Sequence, residues 1–184
     1  MKLVQVVTPS NTSVTLAEMK VFLRVISDDD NDLITSMITQ AEQSAELVMN
    51  RQIMPARYEL YFDNTQDEIT LPRPPFRSLI SLESYDGESW NEVTDYELDD
   101  KILPAKIFVN SWGATSSMKN SVKVVFESGW EDNSKVPEAI KAWIKIQVST
   151  YYEHREAFVL GTTVSELPPS HVDSLIERYR IIPI

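Results

Sequence analysis

Cysteine is absent from the 184 residues, which excludes disulfides and thiolate chemistry and fits a protein made in the cytoplasm. Histidine occurs only at His154 and His171, and neither has a second imidazole four residues away, so no zinc signature exists. The four glycines, Gly87, Gly113, Gly129 and Gly161, stand alone, and no loop can cradle a phosphate. No G-x-S-x-G is present, so the serines lack a nucleophile elbow. No apolar run approaches the ~20 residues that span a bilayer. The opening MKLVQVVTPSNTSV has one lysine and too short an apolar run for a secretory leader. Positive charge is scarce as well: the net charge is −11, a surface that repels a phosphate backbone.

What is present is the composition of one ordinary folded domain, 42% hydrophobic and 24% charged, with no internal repeat and no low-complexity stretch. The charge is uneven. Residues 1–54 hold 4 basic and 7 acidic groups, net −3; residues 55–134 hold 7 and 15, net −8; residues 135–184 hold 6 and 6. The middle third is therefore the acidic surface, and the last third is suited to neutral packing contacts.

The longest helical period runs from Pro137 to Phe158. Ala139, Ile140, Trp143, Ile144, Ile146, Gln147, Val148, Tyr151 and Tyr152 recur at three- and four-residue spacing, which predicts a broad buried stripe on a helix around which the rest of the chain is arranged. Pro137 suits a first helical turn and Glu138 the positive end of the helix dipole. Upstream, Thr15-Leu-Ala-Glu18 reads as a capping box opening a short helix with Leu16, Met19, Phe22 and Leu23 on its stripe. A second helix follows the acidic SDDDND, capped by one of Ser27 to Asp30. It runs to about Asn50 on Leu33, Ile34, Met37, Ile38, Ala41, Ala45 and Val48. Pro55 ends that pattern, because the residue before proline is pushed to extended geometry.

Period two then takes over. Strands are expected at 57–63, 68–71, 79–85, 90–93, 96–98, 106–109 and 122–126, with an Asp86-Gly87 turn and a polar loop at 110–120. Gly161 to Ser170 reads as a loop. A last short helix spans Val172 to Tyr179, and the tail Arg180-Ile-Ile-Pro-Ile184 ends apolar.

Candidate chemistry is thin. Asp28, Asp30 and Asp32 begin like a calcium loop, but position six is Leu33 and position twelve is Thr39, so the segment reads as a solvated helix cap. Trp90, Trp112 and Trp130 lie in or near strand-region loops. They either fold back as core or form a ligand- or carbohydrate-binding platform. The tail carries Arg178 and Arg180 among apolar residues. It either docks on its own core or orders on a partner.

The order of these features resembles the phage head–tail connector, or adaptor, proteins, often labelled only as phage proteins of DNA packaging. The matching pieces are Thr15 to Arg24 with the acidic stretch and long helix behind it, Arg51-Gln-Ile-Met-Pro55, and Leu71-Pro-Arg-Pro-Pro75 before Leu79-Ile-Ser-Leu82. Val124 to Trp130, Val136 to Ile140, Tyr151 to Glu156 and Leu175 to Arg180 complete the set. Gly161 to Ser170 departs from the family pattern. The resemblance implies a virion protein made in the host bacterial cytoplasm, without catalysis or cofactor. It implies a homo-oligomeric ring, twelvefold in the virion, whose free form is a monomer or a ring. Its partners would be the portal protein and the tail or a second connector. DNA would pass through the channel without sequence-specific binding, and no membrane would be involved.

The expected fold is α+β and mainly α. About four helices from both chain ends form a bundle, with a small antiparallel β lobe inserted at 55–134 in a single connector domain spanning 1–184. The expected partner contacts are Arg178, Tyr179, Arg180, Ile182 and Trp112.

Overall fold

The computed structural model describes residues 1–154 and 169–182, with side chains of the last helix described from Val172 onward. The expected loop from Gly161 through residue 168, the helical extension through Phe158, the His171 side chain and the terminal Pro183-Ile184 lie outside the described residues, whereas Pro169 and Ser170, expected in that loop, open the last helix. Four helices and eight strands appear among those described. In chain order they are β1 (Lys2–Val7), α1 (Leu16–Leu23), α2 (Asn31–Met49), β2 (Ala56–Phe62), β3 (Glu68–Thr70), β4 (Phe76–Tyr85), β5 (Trp90–Glu92), β6 (Tyr96–Asp99), β7 (Lys106–Val109), β8 (Val122–Ser128), α3 (Glu138–Glu153) and α4 (Pro169–Glu177). They fall into two compact units: residues 1–10 with 51–131, and residues 11–50 with 132–184.

The strand unit overturns the expectation of a mainly α bundle carrying a small lobe. It holds two antiparallel sheets, one of five strands in the order β1-β2-β8-β4-β5 and one of three in the order β3-β7-β6. The reason is twofold. The N-terminal KLVQVV, too short and irregular to register as a period, pairs along β2 and widens the larger sheet. The inward residues of both sheets then close a core of their own: Tyr58, Leu60, Ile69, Leu71, Leu82, Ile107, Val124 and Phe126 are all buried together. The long helix is therefore not the element around which the whole chain is arranged.

Within the larger sheet, β8 pairs on both sides, Phe126 facing Tyr58 on β2 and Leu79 on β4. Its burial alternates at every residue, as a strand with one face on a core must. The Tyr58 and Phe126 rings stack with centroids 5.8 Å apart. The Tyr58 hydroxyl also bonds the buried Gln52 amide oxygen, and Gln52 in turn donates to the Met54 carbonyl at 2.9 Å. At the β4–β5 turn, Asp86 accepts from the Glu88 and Ser89 backbone N–H groups at 2.8 and 2.9 Å while Gly87 takes φ 115°. Those backbone donors, Ser89 first, hold the Asp86 carboxyl down at about 2.

Past β8 the chain turns at Gly129, with φ 112°. A Cβ here would lie 2.5 Å from the Met54 carbonyl oxygen, so only glycine lets these backbones meet. The Gly129 and Trp130 N–H groups use that closeness, donating to the Pro75 and Ile53 carbonyls at 2.8 Å each.

In the helical unit, α1 opens on the full capping box foreseen between Thr15 and Glu18. It stops at Arg24, held left-handed at φ 57°. The buried stripe of α2 is Ile34, Ile38, Ala41, Ala45 and Met49; Val48, expected on it, is instead 45% exposed. Helix α3 buries Ile140, Trp143, Ile144 and Val148. Two polar ties fix this unit. Trp143 Nε1 donates to Asp173 on α4 at 3.2 Å, and the Tyr152 hydroxyl donates to Asp30 before α2 at 2.5 Å.

Glu42 is the unusual member of the α2 stripe. Its carboxylate is 5% exposed and accepts from the Ser13 N–H at 2.7 Å and the Ser13 hydroxyl at 2.5 Å. This pins the segment entering α1 onto α2. Burial pushes the carboxyl pKa above the ordinary 4.5, against the lowering effect of the two donors. A raised native pKa contributes stability below the unfolded value and loses it as pH rises through the native value. Glu42→Gln removes that titration. The stability of the variant relative to wild type, read from urea curves, should therefore grow as pH is raised from about 4.5 to 7. Glu42→Ala strands both Ser13 donors and should cost ~1–3 kcal/mol. Gly129→Ala should cost ~2–3 kcal/mol in the same assay, from the left-handed backbone and the clash with Met54.

Candidate interaction surfaces

The acidic excess of the middle third is partly consumed on the outward face of the five-stranded sheet. There Arg57 pairs with Glu127 at 3.0 Å, Arg77 lies 3.7 Å from the same carboxylate, and Lys123 bonds Glu83 at 2.5 Å. Lys123 also sits 4.8 Å from the centre of the Trp90 ring. Glu59 accepts from the Tyr61 hydroxyl at 2.7 Å, which pushes that phenol up to about 12. These are cross-strand ladders at a half-exposed surface, each a small contribution to stability.

The smaller sheet is different. Strand β6 is an edge, bonded only to β7. Leu98, Ile102 and Leu103, on β6 and the loop that leads to β7, are 37%, 40% and 52% exposed. Around them stand Asp95, Glu97, Asp99 and Asp100, with Lys101 the one cation between residues 95 and 105. Asp95 accepts from the Asn110 side chain and Asp99 from the Lys101 N–H. Asp100 lies 3.5 Å from Lys101. Glu97 is exposed and has no hydrogen-bond or ion-pair partner among the described residues. The hairpin thus offers an open backbone edge, exposed aliphatic side chains and excess negative charge together.

The helical unit presents two further features. Val21, Phe22 and Ile26 are 80%, 48% and 95% exposed at the end of α1 and in the loop behind it. The acids beside them are engaged: Asp28 with Lys20 and Asn31, Asp29 with Ser27, Asp30 with Tyr152. The second feature is the segment after α4. The Tyr179 and Arg180 N–H groups close the last turn on Ile176 and Glu177, and the Ile181 N–H donates to the Met49 carbonyl at the end of α2 at 2.9 Å.

The expected contact residues are placed as follows. Arg178 is exposed, its guanidinium 4.7 Å from the Tyr179 ring centre and donating to the Tyr179 hydroxyl at 2.5 Å. Tyr179 is half-buried and Arg180 exposed. Ile182 is 79% exposed. Trp112 packs partly buried against the strand core, with Nε1 donating to the Gln66 carbonyl at 3.1 Å. Trp130 is half-buried, whereas Trp90 is 40% exposed. The three tryptophans of the strand region therefore divide between core and surface. The hairpin edge at β6 was missed by sequence reading, although its signal was present: alternating Tyr96, Leu98 against Glu97, Asp99, followed by aliphatic residues in a turn.

Many of the charged side chains described above are engaged in caps, turns and ladders, while Glu97 is left exposed among the described residues. The fold is that of an α+β protein with two compact units. Residues 13–97 match the family model of the phage gp6-like head-tail connector proteins. The match spans 85 of the 184 residues, and over that stretch the chain is similar to structural head–tail connector proteins. It is also similar over its whole length to solved chains in gene transfer agent particles. One is from "Neck of empty GTA particle computed with C6 symmetry", with TM-score 0.82, 19% identity, and 100% of this chain and 97% of the other covered. Two more, from "Neck of native GTA particle computed with C12 symmetry" and "Virion of native gene transfer agent (GTA) particle", have TM-scores of 0.77 and 0.76. Each is 20% identical with the same coverage. No curated protein matches the sequence.

The burial of the four indoles gives a direct check. In variants that keep one tryptophan each, acrylamide should quench Trp90 most strongly and Trp143, 4% exposed, least. Equal quenching of the two would contradict the described packing.

Proposed function

We propose that this connector works as one subunit of a homo-oligomeric ring in a virion neck. The ring lies beneath the portal, lengthens the DNA channel and gives the tail or a second connector a surface to dock on. The observation that carries this reading is the whole-length likeness to a neck protein, with nothing of consequence left over in either chain. The coarser part, a structural connector, rests on the family match. A ring built head to tail needs two different surfaces on each copy, and this chain has candidates in each of its units.

In this reading the protein acts by shape and matching surfaces, without turnover and without a cofactor. It is made in the host bacterial cytoplasm and incorporated into the virion. The free chain is a monomer or a ring depending on conditions, and twelve copies surround the channel in the particle. The contact residues are Arg178, Tyr179, Arg180 and Ile182 on the segment after α4, which meets a neighbouring copy or the portal, and the accessible part of the Trp112 indole on the strand unit. Acidic side chains toward the lumen let DNA slide, because like charges give phosphates no anchor.

Negative-stain microscopy or native mass spectrometry of the purified protein, alone and with portal, tests the reading. Rings or a defined connector–portal complex are expected, and a chain that stays monomeric with every neck component contradicts it. Removing residues 181–184 should abolish the complex with the fold intact by circular dichroism; undiminished assembly would reject the tail contact. Neutralising the acids of residues 55–134 should slow DNA ejection from assembled particles, and unchanged ejection would reject a lumenal place for them.

A further inference from the structure

Two exposed features of this chain fit each other. The β6 edge and the loop behind it combine an unpaired strand edge, exposed Leu98, Ile102 and Leu103, and a surplus of acids. The segment after α4 combines Arg178, Arg180 and exposed Ile182, with no acid after Glu177. The spacing also agrees. Glu97 and Asp99 are two residues apart on a strand and so share a face, and Arg178 and Arg180 are two apart in the exposed turn that follows α4. Leu98 lies between the acids as Tyr179 lies between the arginines.

From this we infer that the β6–β7 hairpin of one copy receives the Arg178–Ile182 segment of a second copy. Arginines meet Glu97 and Asp99, and Ile182 lies against Ile102 and Leu103 in the loop beyond the strand. This rests on the ring reading and names the surfaces that close it. The occupant follows from charge: the strand region is net −8 whereas the receiving segment's partner is purely cationic. The availability of the groups agrees as well. Glu97 is unengaged among the described residues, and the Arg180 guanidinium has no ion pair there. The exposed apolar residues Val21, Phe22 and Ile26 are a poorer receiver, because Asp28, Asp29 and Asp30 beside them already have partners. The contact is heterologous, joining different patches on successive copies, so it propagates around a ring. The segment is also held in place by the Tyr179 and Arg180 turn bonds and by the Ile181 bond to Met49, which limits the ordering cost of docking.

A charge swap tests it in the full chain. Glu97→Lys with Asp99→Lys, and separately Arg178→Glu with Arg180→Glu, should each weaken self-assembly ~10-fold or more at low salt, and less at high salt. Combining all four substitutions in one chain should restore assembly to within ~3-fold of wild type. A combined variant no better than its parents, though folded by circular dichroism, overturns the inference. As a probe that leaves the charges alone, a photo-crosslinking residue at Leu103 should capture a peptide containing residues 178–182 from another copy. Capture of the Val21–Ile26 region, of the portal alone, or of other segments overturns it. Normal rings from both charge-reversed variants would remove this contact and leave the ring reading standing. No ring from wild type with all neck components present would remove both.

Discussion

The strand unit depends on β8. It is the middle strand of the five-stranded sheet, bonded to β2 and to β4, and its inward residues Val122, Val124 and Phe126 are wholly buried. An antiparallel strand between two partners satisfies nearly all its backbone polar groups within the sheet, which a core position requires. The adjoining strands take their register from it. A one-residue slip would turn Lys123, Val125 and Glu127 inward and Phe126 outward, burying two charges in place of an aromatic ring. The bulges in β4 opposite β8, between Phe76 and Ser78 and between Leu79 and Ser81, locally break this register without disturbing the alternation on β8 itself.

The helical unit is held by a different economy. Its apolar stripes supply the bulk of the burial, and a few polar ties specify which faces meet. Glu42 with Ser13, Trp143 with Asp173 and Tyr152 with Asp30 each join positions far apart in sequence. Such ties are individually modest, yet leaving one partner buried and unsatisfied is costly, so they favour one arrangement over near alternatives. The acids Asp28 and Asp30, which sequence alone presents as an incomplete calcium loop, are used up in this way.

A connector must present separate surfaces without aggregating. The charge distribution suits that need: several cations of the strand region lie in cross-strand pairs, leaving a net negative exterior. The apolar residues left outside are dispersed over several small sites, and each needs a charged neighbour to be recognised. The likeness to chains of gene transfer agent particles at 19–20% identity shows a shared fold with few shared side chains.

Much of the element list was legible in the sequence. Helix starts followed from the Thr15–Glu18 box and from Pro137, and seven strands followed from period-two alternation, because these signals are local. The N-terminal strand was not legible: Lys2 to Val7 alternates poorly, and it becomes a strand only because β2 offers an edge to pair with. The balance of the fold was misjudged for the same reason. Short strands look minor one by one, and only their pairing across 50 or more residues, as between Arg57 and Glu127, shows that they enclose a core. By itself the sequence determined the local elements, the uneven charge and the basic apolar tail. Tertiary structure decided which acids are engaged, which indoles are buried and where an open strand edge remains, because each depends on neighbours brought together from distant parts of the chain.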